Sequence, residues 1–96
     1  MNTKTAYDLH EHGSGGFITF ERSDERIAVQ LLALDKATLS GGRGTLMVLE
    51  FSNRSVHVSG SGLSELFDHL LSGRVKIIRE GHHDQCAIET ITFFEE

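Results

Sequence analysis

The sequence predicts an α+β, β-rich domain: an antiparallel meander of about five short strands, one amphipathic helix near residues 62–72, and a closing C-terminal β-hairpin. Three observations predict it. Short runs of β-branched and aromatic residues recur between polar, glycine-bearing breaks. One stretch, and only one, switches clearly to the helical period. Finally, 96 residues is the length of a single domain, which at this size buries roughly 60–65% of the surface its unfolded form exposes. The twist of such a meander allows it to curl into a partly open barrel.

Residues 1–16 are polar and end in Gly13-Ser-Gly-Gly16, the composition of a flexible arm, so the folded domain is expected to span 17–96. A short ordered piece around Tyr7 and Leu9 is the alternative. Phe17–Glu21 has strand composition, Arg22–Glu25 supplies turn residues, and Arg26–Leu31 follows with Ile27, Val29 and Leu31 on one face. The stretch 27–39 has two readings. As a helix it would be capped by Ser23, carry Asp24 and Glu25 in its first turn and stop at Gly41 and Gly42. As strands it would bend near Leu34-Asp35-Lys36 and run on to Leu39. The alternation favours strands.

Ser40–Gly44 is a strong break, because glycine supplies the positive φ that hairpin turns need. Thr45–Phe51 then carries Met47, Leu49 and Phe51 on one face and Leu46 and Val48 on the other, the signature of a strand buried from both sides. Ser52–Ser55 turns the chain into a strand with Val56 and Val58 inward and Ser55, His57 and Ser59 outward. In the helix, Leu63, Leu66, Phe67, Leu70 and Leu71 fall on one stripe. Ser61 is placed to cap its start, Glu65 suits the positive end of its dipole, and Gly73 sits where a left-handed C-terminal cap belongs. At roughly 1.5–3 kcal/mol per fully buried large side chain, the stripe is a major source of stability. The last two strands, Val75–Arg79 and Ala87–Phe94, are expected to form the closing hairpin around the polar loop 80–85. Glu95 and Glu96 stand where charges guard an edge strand.

Nine Lys and Arg against fourteen Asp and Glu give a net charge of −5, which disfavours a phosphate backbone as partner. Protonating all six histidines would carry −5 to +1, so solubility should dip in mildly acidic buffer. No apolar run approaches the ~18 residues of a membrane span, and the N-terminus lacks a signal peptide's apolar core. With the single Cys86, these features predict a cytoplasmic protein.

His82-His-Asp-Gln-Cys86 holds four potential metal ligands, with His10 and His12 as a conceivable second pair. Zinc motifs space their ligands two to four apart, however, and adjacent His82 and His83 in an extended loop point apart, so a solvated loop is the simpler reading. A Cys86–histidine dyad oriented by Asp84 would demand a defined geometry from that same loop. Gly13–Gly16 and Gly41–Gly44 lack the Lys-Ser/Thr ending of a phosphate loop. Asp24 with Glu25, and Glu95 with Glu96, are chain neighbours that point apart and form no acid/base couple. In a meander, Arg22 and Arg26 of the first turn would approach Arg43 of the third and could hold a carboxylate or phosphate, with Asp24 and Glu25 offsetting them.

Ile78-Arg-Glu-Gly81 resembles in part the Ile-Arg-Gly turn of the small Sm-like barrels. The likeness covers four residues with Glu80 inserted; those proteins carry their helix before the strands, and their Asp…Asn loop signature is absent here. The chain is therefore not assigned to that family. Nor are any catalytic, cofactor-binding or metal-binding residues assigned. The expectation is a small non-enzymatic interaction or assembly module that forms homo-oligomers through its terminal strands, Ile91–Phe94 being the natural contact. The alternatives are a small-ligand or nucleic-acid-binding Sm-like barrel using the arginine turns, and a metal-binding protein.

Overall fold

The structure is a computed structural model that describes residues 6–10, 16–42, 44–83 and 86–95. In chain order the elements are β1 (Tyr7–Leu9), β2 (Phe17–Glu21), β3 (Arg26–Gln30), a 3₁₀ turn (Leu31–Ala33), β4 (Leu34–Ser40), β5 (Leu46–Phe51), β6 (Arg54–Ser61), α1 (Ser64–Leu71), β7 (Val75–Arg79), β8 (Gly81–His83) and β9 (Cys86–Glu95). The α+β, β-rich class holds. The strands, however, form two sheets, ordered β1-β7-β2-β3 and β4-β5-β6-β9-β8, and not one meander curling toward a barrel.

Inward-facing residues of both sheets and of the helix share one core. Phe20 of β2 stands at its centre, meeting Phe51 of β5 and Phe93 of β9 edge to face at centroid distances of 6.4 and 5.6 Å. That is the arrangement which aromatic quadrupoles favour.

The 27–39 stretch is extended, as the alternation favours. The break falls at the 3₁₀ turn, and an irregularity in the β4–β5 register between Leu34 and Lys36 lies where the bend is expected. The β5–β6 hairpin pairs Met47 with Val58 and Leu49 with Val56, all four fully buried.

Three further expectations need correction. The first concerns the arm: β1 lies within residues 1–16 and pairs antiparallel with β7, and Ala6 beside it is buried. Tyr7 and Leu9 pack against the core, and that apolar contact outweighs the polar composition around them.

The second concerns the closing hairpin. β7 does not pair with β9; it inserts between β1 and β2, parallel to β2. Val75 and Ile78 are buried on its inner side and Ile77 is half-buried, so a strand apolar on both faces takes an interior position. The chain crosses between sheets at Glu80. Its N–H donates to the Glu21 carbonyl at 3.2 Å, while its carboxylate accepts the Ile91 N–H at 3.0 Å. The hairpin that forms instead is β8–β9.

The third concerns the helix ends. Ser61 does not cap α1, because β6 runs through it and pairs it with Ala87. Gly62, at φ 66°, turns the chain, and Leu63 takes the cap position, its N–H donating to the Gly44 carbonyl. At the other end Gly73 caps as expected. It adopts φ 75°, its N–H donates to the Leu70 carbonyl at 2.9 Å, and the Arg74 N–H donates to the His69 carbonyl at 3.1 Å, which is a Schellman motif. Of the helical stripe, Leu63, Leu66 and Leu70 are buried and Phe67 is partly so, but Leu71 is 64% exposed.

Candidate functional site

The densest charge cluster lies where β1, β7 and β2 run side by side. Parallel pairing sets Arg79 opposite Glu21, and antiparallel pairing sets Glu21 opposite Arg26. Arg79 is 12% exposed and donates twice to Asp8, Nη2 to Oδ2 at 2.8 Å and Nη1 to Oδ1 at 3.3 Å. Its Nε donates to Glu21 Oε1 at 3.2 Å. The other Glu21 oxygen forms an ion pair with Arg26, 3.2 Å from its Nε. The Asp8 carboxylate raises the Arg79 pKa above its ordinary value; partial burial opposes this and Glu21 adds to it. A planar guanidinium matched to two carboxylates is a strong, directional arrangement. Here it joins three strands, and its chemistry is that of a clamp. Composition gave no hint of it, since Arg79 and Glu21 lie 58 positions apart and meet only through a parallel pair.

The arginine turn is partly assembled. Glu21, Arg22, Ser23, Glu25 and Arg26 line a shallow polar depression of about 440 Å³. Both arginines face carboxylates: Arg22 Nη1 donates to Glu25 at 3.0 Å, and Arg26 holds Glu21. Arg22 also lies 5.8 Å from the centroid of the Phe93 ring. Arg43, the third member, lies outside the described residues.

Asp84, Gln85 and His12 also lie outside the described residues, as do the side chains of His82 and His83. Among the described residues no group of His, Cys, Asp and Glu is placed to hold a metal. Cys86 is a free, buried thiol. Burial, and then the Glu65 carboxylate, push its pKa above the ordinary value. The shift disfavours the thiolate, the form a cysteine nucleophile needs. Tyr7, beside Glu65 and 5.9 Å from the His69 ring, is raised in the same direction, chiefly by burial.

The apolar surface is concentrated on one flank. Along β3, the 3₁₀ turn and β4, the side chains of Val29, Leu31, Leu34, Ala37 and Leu39 touch the core yet stay half exposed. Leu32 at the corner is 96% exposed. A cleft of about 310 Å³ opens there between β4 and the end of α1, lined by Leu31, Leu34, Ala37, Leu70 and Leu71 among others. On the far side of the five-stranded sheet, Phe94 is 48% exposed and lies 4.6 Å from His57, ring to ring. The apolar run Leu31–Leu34 is visible in the sequence; that it forms a corner, and so cannot bury itself, is not.

Fold and surface together define a two-sheet α+β domain with one unfinished apolar flank. Compared with known protein families, curated proteins and solved structures, the chain matches none of them.

Proposed function

We propose that the protein is a non-enzymatic interaction or assembly module that associates with copies of itself through the edges of its sheets. The observation that carries this reading is the flank: side chains continuous with the core remain half exposed along β3 and β4, and Leu32 stands almost wholly in solvent. Contiguous apolar surface of this kind marks a contact site more often than a resting surface. Phe94 on the terminal strand adds a second exposed aromatic. The free thiol suits a reducing, cytoplasmic setting. The anion reading draws less support, because Arg22 and Arg26 already face carboxylates.

Light scattering coupled to size exclusion tests the reading. A stable dimer or higher assembly at tens of micromolar supports it. A monomer at every salt concentration sinks it and returns attention to ligands of the arginine turn.

A further inference from the structure

The strand edges are not equally available. β1 and β8 are three residues long. On β9 the outer edge is obstructed where β8 ends, since the Glu80 carboxylate occupies the Ile91 N–H and Glu95 stands at the tip. β4 carries an irregularity and the charges of Asp35 and Lys36 near its start. These are the devices by which proteins keep edges from pairing. β3 carries one charge, Arg26, which is paired with Glu21 of its own sheet, and is otherwise unguarded: it is five residues in unbroken register with β2, without proline or bulge.

The hairpin fixes which of its groups face outward. The Arg22 N–H donates to the Glu25 carbonyl at one end of the β2–β3 ladder, and the Leu31 N–H to the Gly16 carbonyl at the other. Bonded pairs alternate along an antiparallel ladder. Ile27 and Val29 therefore bond to β2, while Arg26, Ala28 and Gln30 turn N–H and C=O outward. No hydrogen bond among the described residues takes these groups, and all three residues are exposed.

We propose that β3 pairs antiparallel with β3 of a second copy about a two-fold axis through Ala28, joining two four-stranded sheets into one. This deepens the self-association reading and rests on it. The edge is self-complementary in that register. Ala28 faces Ala28 of the partner subunit, with no bulk to obstruct the approach. Ile27 faces the partner's Val29, so two half-buried side chains complete each other's burial on the core side. Arg26 faces the partner's Gln30, a donor against an acceptor, and no like charges are opposed. Every outward N–H and C=O of the strand gains a partner. The Arg79–Glu21–Arg26 chain then continues through the partner's Gln30 to its register neighbour Phe17, itself 53% exposed.

The test uses the full chain and three variants, with mass and dissociation constant read by light scattering and sedimentation. Ala28→Pro removes no bond within one copy, because that N–H faces outward, and is expected to give a folded monomer. Gln30→Glu sets a carboxylate opposite Arg26 and should tighten the dimer about five-fold at low salt, and Gln30→Arg should weaken it by a similar factor. If proline disrupts folding, the opposed Gln30 pair decides alone. A wild-type dimer indifferent to both Gln30 changes overturns the β3 contact and leaves self-association to another edge. A wild-type monomer overturns both.

Discussion

The two sheets are held together by different means. In the five-stranded sheet, β4, β5 and β6 are consecutive strands joined by short turns, and their inner faces carry Met47, Leu49, Val56 and Val58, all fully buried. The four-stranded sheet takes β1, β2 and β3 from the first third of the chain and then admits β7 between β1 and β2. Its junction carries the chain Asp8–Arg79–Glu21–Arg26, two carboxylates alternating with two arginines. One sheet is specified by local turns and apolar alternation; the other needs a charged clamp to fix which strand fills the gap. Strands close in sequence find their register through the turn between them. Strands far apart need a pairing of their own.

Phe20→Ala should show the largest effect, because that ring touches both sheets through Phe51 and Phe93. A loss of about 3–5 kcal/mol is expected in urea unfolding, in one transition. Two separate transitions would mean that the sheets are independent units and would break the comparison. Arg79→Ala should cost about 1.5–3 kcal/mol, since Asp8 and Glu21 lose a charged donor in a partly buried site. Hydrogen exchange should then quicken in β1, β2 and β7 while the amides of β5 and β6 keep their protection. Equal acceleration in both sheets would show that the clamp is not specific to the four-stranded one. Gly73→Ala tests the helix that covers both sheets; at φ 75° a side chain is strained, and a loss of about 1 kcal/mol is expected from thermal melting. The smallest effect is set by pH. Tyr7 of one sheet and Cys86 of the other both hold their protons more firmly in the fold than in the unfolded chain. Their contribution is therefore intact below the ordinary thiol pKa of 9.0 and is lost as pH rises beyond it. The urea midpoint should fall between pH 8.5 and 10.5, an interval of about two units around that value, and should fall less in Cys86→Val. A midpoint that rises instead would reverse the assignment.

What the sequence made legible follows the same division. The alternation of residues 45–58 identifies β5 and β6, and the spacing of Leu63, Leu66 and Leu70 identifies α1, because period and burial coincide there. Gly73 is legible as a cap because positive φ is a local requirement. The partner of β7 is not legible. Val75–Arg79 and Ala87–Phe94 look like a hairpin by proximity, and nothing in either run announces that Glu80 sends them to different sheets. Leu71 has the right spacing for the core but sits in the final turn, where the helix has passed the sheet edge and opens onto the cleft beside Leu31 and Leu34. The Arg79 cluster is invisible for the same reason as the β7 insertion: it exists only once a parallel pair has formed.

The place kept for β7 has a consequence for how the chain is made. A ribosome delivers β2 and β3 long before Val75–Arg79 emerges, so the nascent N-terminal third can form its hairpin but not its sheet. Until then β2 presents a second open edge, with Ile18 and Phe20 uncovered. The slow step in folding is thus expected to be the capture of β7, a closure across most of the chain. Any sequence that lengthens that wait exposes the same edge to neighbouring chains.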